Sequence, residues 1–159
     1  MAALIKTRTV TVNAAFLAEI KQSHQELWQI VGYLDDLTQN QISSPLFLQK
    51  HCAALSQLHG RLITHFSLEE AFGYFDDPIE VAPRISQIAE ALLKEHQQLQ
   101  QTCGDLAEQA QHAYDFGGSG ELQKLASSFL SFHTRLVNHE EAEIDLIQEA
   151  YGDDIGVVD

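Results

Sequence analysis

Four stretches of the chain carry apolar side chains at alternating intervals of three and four residues. Leu17, Ile20, His24, Leu27, Val31 and Leu34 form the first stripe, and His51, Leu55, Leu58, Leu62, His65, Glu69 and Phe72 the second. Ile85, Ile88, Leu92, His96, Leu99, Cys103 and Leu106 form the third, and Leu122, Leu125, Phe129, Phe132, Leu136, His139, Glu143 and Leu146 the fourth. A period near 3.6 residues puts each set on one face of an α-helix directed at a common interior. No stretch of comparable length alternates with the period of two that a strand requires. The breaks agree with this reading. Thr38 to Pro45 is polar and ends in proline, which often opens a helix. Asp76-Asp77-Pro78 and Pro83 interrupt the chain again, as does the run Asp-Phe-Gly-Gly-Ser-Gly at 115–120. The pattern predicts helices over about 13–38, 46–74, 83–114 and 121–151. It leaves an N-terminal arm at 1–12 and a C-terminal tail at 152–159. Short connections between long helices predict an all-α, antiparallel up-down-up-down four-helix bundle.

Six polar residues intrude on the stripes. His24, His65, Glu69, His96, His139 and Glu143 stand where Leu or Ile is expected. An unpaired glutamate is among the costliest groups to bury. Residues i and i+4 lie about 40° apart around a helix and ~6 Å along it. His65 and Glu69 therefore address the same space, as do His139 and Glu143. In such a pair the histidine takes one metal ion, and the carboxylate bridges it to a second ~3.5–4 Å away. Counting residues from the helix ends sets His24, His96 and His139 at similar heights, with helix two displaced by about one turn. The chain also repeats itself. His59-x5-His65-x3-Glu69 recurs as His133-x5-His139-x3-Glu143, a shift of 74 residues, and His24 recurs as His96 after 72. Two helical hairpins related by an approximate two-fold would each bring the same donor set to a paired-metal site.

Composition narrows the partners. Nine basic against twenty-three acidic side chains give a formal charge of -14. That balance argues against nucleic acid, whose affinity comes from Lys and Arg on phosphate, and against an anionic membrane surface. No run approaches the ~20 apolar residues of a spanning helix, and Met1 to Asn13 lacks the apolar core of a signal peptide. Cys52 and Cys103 fall on the apolar seams and are expected to be buried and reduced, with the cytoplasm as the default compartment. His59 and His133 sit about 120° from the candidate ligands and are expected behind them rather than among them. His51, some four turns from His65, reads as a packed or capping histidine, and His112 as exposed. Trp28, Phe66, Phe72, Phe129 and Phe132 read as core, and Glu70, Glu140 and Glu141 as a solvated face, with one of the three as the alternative for an additional ligand. No Ser/His/Asp, Cys/His or phosphate-loop arrangement offers another chemistry.

A lone histidine on helix one, HxxxE on helix two, a lone histidine on helix three and HxxxE on helix four resembles the hemerythrin-like, or HHE cation-binding, family over roughly 13–151. The resemblance implies a non-haem centre of two iron ions held by His24, His65, Glu69, His96, His139 and Glu143. Oxygen-carrying members have HxxxH on helix three and an aspartate closing the motif of helix four. Here Gln100 and Glu143 occupy those places. The pattern is closer to the branch that includes iron-sulfur repair proteins and iron- or oxygen-sensing domains. The cysteine-bearing N-terminal domain of the repair proteins has no counterpart in these residues. If both glutamates bridge, each iron has two histidines and two carboxylate oxygens, and an oxo or hydroxo bridge brings each to five. One position per iron is then open to O2, peroxide or NO. Ferritin-like sites use Glu-x-x-His, and no histidine here has a glutamate three residues before it. Three readings follow. The first is a redox protein with peroxidase-like, catalase-like or NO-reactive chemistry. The second is a module that binds or senses O2 or iron without turnover. The third is a structural bundle with a buried polar network, which is tolerated only when fully satisfied. The sequence identifies neither an electron donor nor an oligomeric state.

Overall fold

Four helices carry the chain: α1 (Ala2–Asn40), α2 (Phe47–Ala71), α3 (Ser86–Phe116) and α4 (Ser119–Val158). The structure, a computed structural model, describes the backbone of residues 2–71 and 86–158, and side chains at 18–71, 86–118 and 120–149. No strand occurs among the described residues, and no described helix is long and apolar enough to cross a membrane. The Asp76-Asp77-Pro78 and Pro83 break, and the side chains of Leu17, Phe72 and Ile85, lie outside the described residues. At the chain ends the helices run further than the apolar period indicated. α1 begins at Ala2 rather than near 13, and α4 reaches Val158 rather than 151. Residues 2–12 contain neither glycine nor proline, so nothing in the backbone stops the helix there.

The two described connections have clear local causes. The Ser44 hydroxyl accepts a hydrogen bond from the Leu46 amide at 3.3 Å, and Pro45 follows as a helix-opening residue without an amide to satisfy. Phe47, 1% exposed, then anchors α2 in the core. Between α3 and α4 only Gly117 and Gly118 intervene. A Cβ on Gly117 would come within 2.1 Å of the Ala113 carbonyl oxygen, so the chain can turn back on α3 only with glycine there.

Contacts between neighbouring helices run in opposite senses along the two chains. Thr38 meets His51, Arg61 bonds Glu26, and Ser23 meets His65 across α1 and α2. Glu70 meets His96, and His59 lies against Gly104, across α2 and α3. Glu95 meets His139, and Arg135 donates to Thr102, across α3 and α4. The expected bundle of antiparallel neighbours follows. Among the described residues, α1 and α4 touch less than the other neighbouring pairs. Thr38, two residues before the end of α1, is level with His51, four residues inside α2, so α2 starts about half a turn beyond the end of α1. That overhang, with the two residues by which α1 outruns its expected end at 38, accounts for the displacement of helix two.

The core is apolar and lies mainly to one side of the polar intrusions. Leu27, Leu34, Leu55, Leu58, Leu62, Phe66, Leu99, Leu125, Phe129 and Leu136 are fully enclosed. Each such side chain contributes about 1.5–3 kcal/mol through burial. Ile88 departs from expectation, being 45% exposed, while Ala89 is buried. Position 89 lies three residues before Leu92 and 88 lies four before it, so spacing admitted either, and the packed seam takes the smaller side chain. Cys103 is buried as expected and Cys52 only half-buried, both as free thiols. Burial pushes the Cys103 thiol up to about 12, which makes it inert at neutral pH. Trp28 is likewise half-buried, while Phe66, Phe129 and Phe132 are core.

His51 is the packed histidine the sequence indicated. Its ring lies 5.0 Å from that of Phe47 and 5.7 Å from that of Phe129. The Thr38 hydroxyl donates to the Leu34 carbonyl at 2.7 Å, so the His51 Nε2–H must donate to Thr38 Oγ1, at 3.3 Å. Burial lowers this histidine from 6.5 to about 4. Between those values the unfolded chain binds a proton that the folded chain refuses, so stability falls as pH drops through the window. A shift of that size corresponds to about 3 kcal/mol. His51→Gln keeps a polar partner for Thr38 and removes the titration. Urea unfolding at fixed pH should show the gap between wild type and variant change by about 2–3 kcal/mol from pH 6.5 to 4. Parallel pH profiles would refute it. Gly117→Ala should destabilise the bundle by about 1–3 kcal/mol in the same assay, because Ala113 backbone must move.

Candidate metal centre

HxxxE spacing does locally what helical geometry requires. On α2, His65 and Glu69 are each 1% exposed and 3.5 Å apart (Nε2 to Oε1). On α4, His139 and Glu143 are each 1% exposed, with Nε2 2.5 Å from Oε1. α3 adds His96, whose Nε2 is 2.9 Å from the same Glu143 oxygen and 3.7 Å from Glu69 Oε1. α1 adds His24, whose ring lies 5.7 Å from that of His65. All six residues singled out in the sequence therefore meet in one cross-section of the bundle.

A seventh joins them. Glu140 was expected on a solvated face and is instead 7% exposed. Its Oε2 lies 3.2 Å from His24 Nδ1 and its Oε1 3.6 Å from His65 Nε2. Glu140 is four residues after Leu136 and three before Glu143, which sets it beside the seam of α4. That spacing was the available signal, but burial there depends on α1 packing across it. Two groups result whose donor atoms lie close enough to share an ion: His24, His65 and Glu140, and His96, His139 and Glu143. Glu69 stands between them, within 3.5 Å of His65 and 3.7 Å of His96.

Groups behind the histidines fix the ring orientation. His139 Nδ1 is 2.7 Å from Glu95 Oε1, His96 Nδ1 is 3.3 Å from Glu70 Oε1, and His65 Nδ1 is 3.3 Å from Ser23 Oγ. Each of these leaves Nε2 facing the centre, the arrangement that metal-binding histidines need. Glu70 is exposed as expected, yet it reaches inward to His96. His133 stands one ring removed from the centre: it lies 6.2 Å from Trp28, which is 5.9 Å from His24. His59 packs against Gly104, and His112 is exposed beside Glu121.

The electrostatics of the centre favour a cation. Burial works to raise Glu143, but hydrogen bonds from His139 and His96 outweigh it and hold the carboxyl down to about 2. Burial also opposes ionisation of Glu140, and the bond to His24, with His65 close by at 3.6 Å, overcomes it and lowers the carboxyl. Glu69 is pushed well up, first by burial and then by the charge of Glu143. His24 is raised chiefly by Glu140. His139 is raised despite burial by Glu143 and Glu95. Three carboxyls thus share an interior in which, among the described residues, imidazoles are the groups set against them. His65 Nε2, Glu69 Oε1 and Glu140 Oε1 are buried without a hydrogen-bond partner. Their separations of 3.5 and 3.6 Å are too long for good hydrogen bonds. They match the ~3–3.5 Å between donors sharing one ion at ~2.1 Å. The donor set therefore fits metal cations, with imidazole and carboxylate suiting iron, manganese or zinc.

A cavity of about 280 Å³ reaches the centre between α1 and α4, bounded by Ile20, Lys21, His24 and Ile144. A larger one, about 560 Å³, lies between α1 and α2 among Gln29, Tyr33, Leu46 and Lys50. It has no convergent metal-binding groups.

Residues 15–150 match the family described as the hemerythrin HHE cation binding domain. No curated protein and no solved structure matches the chain.

A centre of this composition couples metal binding to folding. An ion bound only by the folded form adds about 2.7 kcal/mol at a hundredfold excess over its Kd. For a domain of this length that is roughly 5–10 °C in melting temperature. Scanning calorimetry with ferrous, manganous or zinc ion should show such a rise over chelator-treated protein. Equal melting temperatures would mean that the buried polar network is satisfied by itself.

Proposed function

The chain belongs to the hemerythrin HHE cation-binding family, and on that premise we propose that it is a non-haem di-iron protein that reacts with O2, peroxide or NO. The observation that carries this reading is the pair of three-residue groups, His24/His65/Glu140 and His96/His139/Glu143, set on either side of Glu69. In this reading His24 and His65 hold one iron, His96 and His139 the other, and Glu69 and Glu143 lie between them. Two iron ions would supply an electron each and open positions for a small ligand.

The protein's own residues do the remaining work. Glu95, Glu70 and Ser23 keep three imidazoles aimed inward. Phe66, stacked on His96 at 3.8 Å, and Leu62 and Leu136 beneath the centre keep water from that side. The cavity between α1 and α4 admits a ligand of a few atoms. Electrons come from a donor outside the described chain, and the free thiols suit a reducing compartment such as the cytoplasm. Gln100, half-buried one turn beyond His96, stands where an oxygen carrier has a further imidazole. With one donor fewer, more coordination is left exchangeable, which favours redox turnover over guarded O2 storage.

Metal analysis should find about two iron ions per chain. Glu69→Ala and Glu143→Ala should each lose at least half of that iron while circular dichroism shows the helices intact. Full iron in both variants would refute their place between the ions. Reduced protein mixed with O2 in a stopped-flow spectrometer should pass to the diferric spectrum and stay there after degassing. Return of the diferrous spectrum would mean reversible carriage, and the binding module would replace the redox reading.

A further inference from the structure

The two halves of the centre are not equivalent, although the sequence repeat alone would make them so. The shift of 74 residues that relates His65 to His139 and Glu69 to Glu143 also relates Phe66 to Glu140. One half has an aromatic ring where the other has a carboxylate. Phe66 lies flat on His96, with ring centroids 3.8 Å apart and planes 4° from parallel, and edge-on to His139 at 5.4 Å. Glu140 instead reaches His24 and His65 and takes part in their group.

Exposure divides the same way. His96, His139 and Glu143 are 0%, 1% and 1% exposed. The His24 side chain is 39% exposed, and the cavity of about 280 Å³ opens on it past Lys21 and Ile144. Support divides likewise. His96 and His139 are each braced at Nδ1 by a glutamate outside the centre. His24 directs its Nδ1 at Glu140, within the centre itself. The cavity touches the first half only at Glu143, which is 1% exposed, and neither His96 nor His139 lines it. An ion in the second can lose His24 to solvent while the bundle stays closed.

Building on the di-metal reading, we propose that His24, His65 and Glu140 form an exchangeable metal position, emptied and refilled through the cavity between α1 and α4, while the ion at His96, His139 and Glu143 stays in place. Glu140 sets the retention of the exchangeable ion, because it is the one carboxylate that belongs to that half alone. Ion exchange at this position requires no oxidation or reduction, only displacement of His24 by water and its return.

The test is chelation kinetics on the full chain loaded anaerobically with ferrous ion, using an excess of a chromogenic ferrous chelator. Two phases are expected, each of about one ion per chain, with rates at least tenfold apart. Glu140→Gln should either lose the fast-leaving ion or speed its release at least tenfold, leaving the slow phase as it was. Ile144→Trp, a change at an exposed position on the cavity rim, should slow the fast phase several-fold at unchanged metal content. Wild-type protein that binds two ions and releases both at one rate overturns the inference and leaves the di-metal reading standing. Protein that never takes a second ion overturns both. Unaltered phases in Glu140→Gln remove the role of that residue, and an unaltered fast phase in Ile144→Trp removes the route.

Discussion

Everything else in the bundle answers to one constraint: three carboxylates and four imidazoles occupy a single cross-section of a narrow apolar interior. Each ionised carboxylate buried alone would cost several kcal/mol. The chain contains that cost by pairing. Glu143 takes two imidazoles, Glu140 takes His24 and faces His65, and Glu69, left between them, is pushed toward its neutral form. The apolar layers on the other side, from Leu62 and Leu136 down to Phe47, are continuous, so the seam tolerates one polar layer without losing its packing. A cation changes the sign of the problem, because the same carboxylates then lower the energy of the charge they surround.

Much of this was legible in the sequence, for identifiable reasons. The stripes on α2 and α4 keep their spacing straight through His65, Glu69, His139 and Glu143. A residue that interrupts a buried seam without breaking its period must itself be buried. The spacing of four within each pair then dictates that both side chains enter the same space. His24 and His96 were found by the same argument, and in the structure they meet the other four.

Glu140 could not be singled out from Glu70 and Glu141, and the reason is physical. It lies one residue after a seam histidine, on the flank of α4, where burial is decided by a neighbouring helix rather than by its own period. His24 and the approach of α1 enclose it, and no single-helix pattern reports that. The same limit applies at Ile88 and Ala89, equally placed by spacing and separated only by the room left in the packed seam. The helix ends at Ala2 and Val158 escaped the reading because an apolar period marks where a helix is packed, not where its backbone hydrogen bonding stops. Glu70 reaches inward from an exposed position and Glu95 from a half-buried one, which a division into core and surface residues would have missed.

The placement of the two donor groups also bears on the order in which the molecule assembles. His96, His139 and Glu143 all belong to the α3–α4 hairpin, whose helices are joined by a two-glycine turn. Local hairpins of this kind form early, since little loop entropy opposes them. Their donor group is therefore complete in half of the chain. His24 and His65 belong to the other hairpin, and their group is finished only when α4 brings Glu140 across to α1. That group is a record of docking between the two halves, and an ion held there acts as a clasp between α1 and α4.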